Sequence, residues 1–127
     1  MQQGASDTIR HLAEPTVPVA SATRGAELYD RFSRDSDLLA LPVVDNGRPV
    51  GLVNRHALLV KLADRFGRAL FEKKAASYLM DATPLIVDAN LALDDLSSTI
   101  LLVRPSALLT GFIVTEDGRY LGVGTAL

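Results

Sequence analysis

The apolar and polar positions of this chain form one pattern that occurs twice. The first run, Leu41-Pro-Val-Val-Asp-Asn-Gly-Arg-Pro-Val-Gly-Leu-Val-Asn54, sets two apolar stretches on either side of a polar turn. The second run, Gly111-Phe-Ile-Val-Thr-Glu-Asp-Gly-Arg-Tyr-Leu-Gly-Val-Gly-Thr125, does the same. Asn46-Gly47 is the strongest short hairpin signal available, because both residues tolerate positive φ. Aligning Val43 with Ile113 gives a spacing of 70, and aligning Gly51 with Gly122 gives 71, which puts one added residue in the second turn. Upstream, Val17 and Val19 fall on Leu85 and Val87, and Leu28 and Phe32 fall on Leu96 and Ile100, all 68 apart. A small α/β unit copied in this way is expected to pack its copies face to face, with two related clefts at the seam.

The intervening positions predict the remaining elements. Ser6 or Asp7 is placed to cap a short helix over 8–12, which must stop before Pro15. Val17 to Ala20 reads as a strand or extended segment. Thr23 reads as the N-cap of a helix of about ten residues whose apolar face is Leu28, Tyr29 and Phe32. Pro42 cannot donate to a ladder, so it is expected at the start of its strand or on an unpaired edge. From Asn54, an N-cap residue, the period becomes helical. Leu58, Leu62, Phe66 and Leu70 recur every four residues, and Asp64 with Arg68 and Arg68 with Glu72 are spaced for i,i+4 pairs. Gly67 is expected to bend or split that helix. In the second copy Tyr78-Leu-Met80 repeats the short helix, Leu85 to Val87 repeats the extended segment, and Asn90 reads as the next cap. Leu93, Leu96 and Ile100 supply the buried stripe before Pro105 interrupts it.

Composition narrows the class. A length of 127 residues suits one globule or two half-size units sharing a core. Hydrophobic content of 48% with mean hydropathy of +0.20 argues against disorder. A net charge of −2 offers no broad basic face, so neither DNA nor RNA is an expected partner. The chain has no cysteine, which removes disulfides, thiolate metal sites and a thiol nucleophile, and fits a reducing cytoplasm. No apolar run reaches the ~20 residues that span a bilayer, and the N-terminus lacks a signal-peptide pattern, so a cytoplasmic module without membrane insertion is expected.

Reactive constellations are absent from the pattern. His11 and His56 are the only histidines, and no His-x-x-x-His or Glu-x-x-His spacing seats zinc. Gly122-x-Gly124 lacks the third glycine and the following helix of a phosphate fingerprint. Asp94-Asp95 and Glu116-Asp117 are neighbours whose side chains diverge, which suits exposed ends better than an acid–base dyad. The reading is of a non-enzyme.

Four stretches in this order and spacing resemble a tandem pair of cystathionine-β-synthase (CBS) domains, the Bateman module, from about Thr8 to Leu127. They are Leu41-Pro-Val-Val-Asp45, Gly51-Leu-Val-Asn54, Leu79-Met-Asp-Ala-Thr-Pro84 and Gly122-Val-Gly-Thr125. Asn54-Arg-His, Phe66-Gly-Arg-Ala-Leu-Phe71 and Leu109-Thr-Gly-Phe-Ile-Val114 are further similar to the CBS pairs of bacterial signalling proteins carrying EAL and GGDEF domains. The resemblance implies an α+β fold of two β-α-β-β-α units, 8–72 and 73–127, packed with pseudo-twofold symmetry. The first unit runs from its hairpin into a helix at Asn54, whereas the chain stops two residues after Thr125. The second unit is therefore expected to lack its last helix, with more chain to follow.

The same resemblance implies a regulatory role. Such modules sense AMP, ATP, S-adenosylmethionine or a cyclic dinucleotide at the cleft between units, require no cofactor, and control a covalently linked output domain, for which the resemblance implies a diguanylate cyclase or phosphodiesterase. A homodimer is implied through helices such as the one carrying Leu58, Leu62, Phe66 and Leu70. The alternative is a ligand-free dimerisation spacer. In the family pattern the strand exit carries a hydroxyl for phosphate and, three residues later, an Asp for the ribose. Here those positions are Asn54 and Ala57, so the first copy lacks the ribose acceptor; the second copy has Thr125 at the hydroxyl position. Arg55 and His56 oppose the helix dipole by roughly 0.3–1 kcal/mol each, which fits either an anion nearby or two solvated side chains after an ordinary N-cap at Asn54. The implied base pocket is Thr16, Val17 and Pro18 with Leu41 and Pro42, and in the second copy Thr83, Pro84 and Leu85 with Thr110 and Gly111.

Overall fold

A computed structural model describes residues 7–125. Packing divides them into two compact units: one is residues 17–83, and the other joins 7–16 to 84–125. These units differ from the division 8–72 and 73–127 at both ends, and a short backbone bridge explains each difference. The segment before the first hairpin packs on the second hairpin: Glu14 and Val123 exchange two N–H···O bonds of 2.9 Å. The segment before the second copy packs on the first hairpin, where Leu52 and Asp81 exchange bonds of 3.0 and 2.9 Å.

In the unit 17–83, helix α1 (Gly25–Arg34) precedes strands β1 (Ala40–Asp45) and β2 (Arg48–Asn54), then helices α2 (Arg55–Ala63), α3 (Gly67–Phe71) and α4 (Ala76–Leu79). Its core joins Leu28 and Phe32 of α1 to Leu41 and Val43 of β1, Val53 of β2 and Leu58 and Leu62 of α2. The other unit opens with a 3₁₀ turn (Ile9–Leu12) and continues through β3 (Ile86–Asp88), a second 3₁₀ turn (Leu93–Asp95), α5 (Leu96–Val103), α6 (Ala107–Thr110), β4 (Phe112–Glu116) and β5 (Arg119–Gly124). Ile9 belongs to that core, beside Leu85, Val87, Leu96, Ile100, Phe112 and Val114. Its burial accounts for the attachment of 7–16 to this unit.

Both hairpins close through two-residue turns whose central residues have positive φ: 54° and 80° at Asn46 and Gly47, 53° and 79° at Asp117 and Gly118. This is the turn geometry whose twist matches that of the flanking strands. In β1–β2, Val43 faces Gly51 but Val44 faces Pro49; in β4–β5, Val114 faces Gly122 but Thr115 faces Tyr120. The two hairpins therefore correspond at a uniform spacing of 71, Val43 to Val114, and the second turn carries no added residue. What both copies share is a bulge, with the extra residue at Val50 and at Leu121. The parallel pairing of Val19 with Val43 likewise matches that of Val87 with Val114, although only the second forms a three-residue strand.

Several local expectations are corrected. Pro42 lies inside β1 opposite Leu52, and both Leu52 backbone groups bond to Asp81, so no ladder bond is lost at Pro42. Arg24, not Thr23, is the N-cap of α1; Thr23 Oγ1 instead accepts from Ala20 N at 3.1 Å. Thr8 occupies the cap of the first 3₁₀ turn, where Asp7 was expected, and Ser6 lies outside the described residues. Asn90 caps nothing, and its Oδ1 accepts from Arg10. The four-residue stripe splits at Gly67: Leu58 and Leu62 are core, whereas Phe66 and Leu70 are exposed. Gly67 sits against the carbonyls of Lys61 and Leu62, where a Cβ has no room, so the chain turns there and the apolar face rotates outward. Of the two predicted helix pairs, Arg68–Glu72 forms at 3.2 Å; Asp64 lies beyond α2, and its carbonyl accepts from Gly67 N.

Candidate functional site

Each hairpin ends on a polar residue as its second strand leaves the sheet. In the unit 17–83 the exit is Asn54, paired with Ala40. Its Oδ1 accepts from Ala57 N at 3.0 Å, so Asn54 is the N-cap of α2 and satisfies one of the unpaired N–H groups there. Arg55 follows at the first helical position. Its Nη1 donates to the carbonyls of Phe32, Asp35 and Leu38 at 2.9, 2.9 and 3.1 Å, and its guanidinium lies 5.6 Å from the Phe32 ring centre. Phe32 lies in the last turn of α1 and Asp35 is its C-cap, where backbone acceptors lack helical donors, and Leu38 lies in the link to β1. Arg55 therefore fastens the end of α1 to the start of α2. His56 is exposed beside it.

Val17 and Pro18 are exposed, while Leu41 and Pro42 are buried. The backbone brings these segments together: Val19 N donates to Pro42 O at 2.9 Å, and Val44 N to Val19 O at 2.8 Å. The Val17 carbonyl accepts from Arg31 at 2.8 Å, a contact that sequence reasoning missed; the only signal was a basic residue in the last turn of α1. Ser21 donates to Asp45, and these hydrogen bonds, from its hydroxyl and its N–H, hold the Asp45 carboxyl below its ordinary value. Thr83 N and Oγ1 both donate to Asp81 Oδ1, at 2.9 and 3.3 Å.

In the unit of 7–16 and 84–125, Ile113 N donates to Leu85 O at 2.9 Å, which aligns Leu85 with the start of β4. Gly111 enters β4 with φ of 86°, and a Cβ there would lie 3.0 Å from Gly124 O. Thr110 Oγ1 donates to Ser106 O, and Thr125, at the exit, is exposed. Pro84 is half-buried before Leu85. The Thr16 carbonyl accepts from the Tyr120 hydroxyl at 2.5 Å. Arg10 bridges Glu116 at 2.7 Å and lowers its carboxyl pKa, first through the hydrogen bond and then through charge. Each copy thus sets an extended segment beside the start of one hairpin strand and a polar side chain at the end of the other.

This geometry recurs in solved structures. CBSX2 from Arabidopsis thaliana, a CBS-pair protein, is 22% identical with a TM-score of 0.74, over 94% of this chain and 89% of that one. The chain has the CBS-pair fold. Residues 8–64 match the family model of the CBS domain. A structure of CBSX2 in complex with AMP is 21% identical with a TM-score of 0.73, over 94% and 90% of the two chains. The CBS domain of a bacterial CNNM/CorC family Mg2+ transporter, in complex with ATP, is 16% identical with a TM-score of 0.73, over 94% and 81%. Curated proteins yield no match. Among the described residues, no group of three or more His, Asp or Glu is arranged to hold a metal ion, and no helix is long and apolar enough to cross a membrane.

Proposed function

We propose that this chain is a regulatory ligand-sensing module that takes an adenosine-type nucleotide or a cyclic dinucleotide and controls a linked output domain. The diguanylate cyclase or phosphodiesterase class is the proposed output, by resemblance to signalling CBS pairs. The observation that carries the reading is the duplicated exit: two hairpins in one register, each with a glycine at the bulge and a polar residue, Asn54 or Thr125, where the strand leaves the sheet. The AMP and ATP bound by CBSX2 and the transporter domain support the ligand class. Within the repeat 73–127, Thr83, Pro84, Leu85, Thr110, Gly111 and Thr125 are the residues proposed to face ligand. In the repeat 8–72 they are Thr16, Val17, Pro18, Leu41, Pro42, Asn54, Arg55 and His56. A ligand shifts the module only by its preference for one conformation over another. Calorimetric titration with AMP, ATP, S-adenosylmethionine and cyclic dinucleotides tests the proposal: saturable heat with at least one supports it, and silence with all defeats it.

One observation favours a second reading, a ligand-free dimerisation spacer. Ala57 offers no ribose acceptor, and Asn54 Oδ1 is already used by Ala57 N. In either reading the chain is proposed to be a cytoplasmic, non-catalytic homodimer. The stripe of Leu58, Leu62, Phe66 and Leu70 that implied a homodimer has its first two members buried, so the proposed self-contact is the apolar surface of Leu101, Leu102, Val103, Leu108 and Leu109, all exposed around Arg104. Light scattering tests it: Leu102→Asp with Leu109→Asp is expected to halve the mass, and a wild-type monomer at high concentration removes the idea.

A further inference from the structure

The sensing proposal leaves Glu14 without a role, although the sheet places it beside the Thr125 exit. Glu14 and Val123 exchange two backbone hydrogen bonds in an antiparallel bridge, so Glu14 stands directly opposite Val123 at the edge of β5. Residues opposite each other in such a pair, and residues two apart along one strand, point to the same face. Thr125 comes two residues after Val123, so Glu14, Val123 and Thr125 share a face. Diagonal neighbours in this relation lie about 7–8 Å apart, within reach of a long side chain. Glu14 is exposed, and among the described residues its carboxylate has no hydrogen bond or ion pair. On the other side of Thr125 lies Gly111, which adds no side chain; a Cβ there would sit 3.9 Å from Thr125 Cγ2.

The first hairpin repeats the arrangement with a different outcome. Asp81 stands opposite Leu52, two residues before Asn54. Asp81 Oδ1, however, accepts from Thr83 N and Oγ1 at 2.9 and 3.3 Å, and Asn54 Oδ1 accepts from Ala57 N. Both polar side chains at that exit serve the local backbone, whereas Glu14 and Thr125 are both exposed. The surroundings of the second exit are acidic as well. The unit of 7–16 and 84–125 carries three arginines against seven aspartates and glutamates. Arg10 is paired with Glu116 at the turn end of its hairpin, Arg119 opens β5 at that same end, and Arg104 donates to Ser106 Oγ at 3.1 Å. A ligand group that reaches the Thr125 hydroxyl therefore meets the Glu14 carboxylate. A phosphate there lies against like charge, whereas a cation or a hydrogen-bond donor is held. We propose that Glu14 is a specificity-determining residue of the Thr125 exit, selecting adenosine ligands that bear a cationic sulfonium over those that bear phosphates. This deepens the sensing proposal and rests on it.

Calorimetry of the full chain with four ligands tests this: S-adenosylmethionine, S-adenosylhomocysteine, AMP and ATP. S-adenosylhomocysteine lacks only the sulfonium methyl and its charge, so the first pair isolates the cation. The wild type should bind S-adenosylmethionine about tenfold more tightly than S-adenosylhomocysteine, and more tightly than either phosphate ligand. Glu14→Gln should bring the first pair to within about twofold and raise AMP affinity about tenfold. Because Glu14 bridges Val123 through its backbone, the thermal midpoint and the hydrogen exchange of Glu14 and Val123 should not move in that variant. AMP or ATP binding more tightly than S-adenosylmethionine to the wild type overturns the inference and leaves the sensing proposal standing. So does a Glu14→Gln variant that keeps the wild-type preference for the sulfonium. Silence with all four ligands defeats the sensing proposal itself, and this inference with it.

Discussion

Arg55→Ala is the substitution whose effect the structure sets most clearly, because two opposing terms meet on one side chain. At the start of α2 the cation opposes the helix dipole, and removing it returns about 0.3–1 kcal/mol. At the end of α1 the same guanidinium satisfies three carbonyls and lies over Phe32. Hydrogen bonds to a charged group contribute about 1.5–3 kcal/mol each, but a single nitrogen with two protons serves all three acceptors, so they count as one to two bonds. The ring contact adds roughly 0.5–1 kcal/mol. The carbonyl side wins, and Arg55→Ala should cost about 2–4 kcal/mol after the dipole gain. With an m-value of about 1–3 kcal/mol/M, the urea midpoint should fall by roughly 1–2 M. Arg55→Met, which keeps the apolar stem, should lose nearly as much, and Arg55→Lys should recover part. His56→Ala, one residue along and exposed, should stay within about 0.5 kcal/mol. An Arg55→Ala midpoint indistinguishable from that of His56→Ala would refute the clamp.

Three further outcomes follow from the same geometry. Gly51→Ala drives a Cβ into the Met80 side chain and to 2.9 Å from Asp81 O, and Gly122→Ala drives one to 2.8 Å from Glu14 O. Each should cost about 1–3 kcal/mol, and hydrogen exchange should rise at Leu52 and Asp81 in the first variant and at Glu14 and Val123 in the second. Arg10→Ala tests linkage: the folded pKa of Glu116 lies below its ordinary 4.5, so its contribution is present above that value and lost as pH falls through the depressed one. Urea midpoints of variant and wild type should therefore differ at neutral pH and converge below 4.5. Ala57→Asp supplies the missing carboxylate in the first turn of α2 and should raise AMP affinity about tenfold by calorimetry, the yield of one good hydrogen bond.

The hairpins were legible because positive φ restricts the residues a turn accepts, and Asn46-Gly47 and Asp117-Gly118 are such pairs. Their correspondence was misread by one residue because Val43 resembles Ile113 and Val114 equally as a side chain. Only the bulge at Val50 and Leu121 fixes the match, and a bulge changes register without changing composition. The exchanged segments at Glu14 and Asp81 were invisible for a related reason: two backbone hydrogen bonds impose no hydrophobic period. Thr23 and Asn90 read as caps, but short polar side chains also serve local turns and cross-links, and the sequence does not rank these uses. The clamp was half legible. A cation at a helix start signals a nearby acceptor, yet the pattern suggested an anion, whereas folding supplies carbonyls from the end of α1 and the loop after it.

The two copies also show which parts of a duplicated unit physics holds fixed and which it releases. Register, bulge and glycine are shared because the Leu52–Asp81 and Val123–Glu14 bridges approach the hairpins too closely for a Cβ at Gly51 or Gly122. The exits are under no such constraint. One spends its polar side chain on capping α2 and follows it with a structural arginine; the other ends on an exposed threonine. A ligand that needs a hydroxyl at the strand exit can find it at Thr125 but not at Asn54. On the proposed function, nucleotide binding should therefore be asymmetric, with Thr125→Val lowering affinity more than Asn54→Ser changes it.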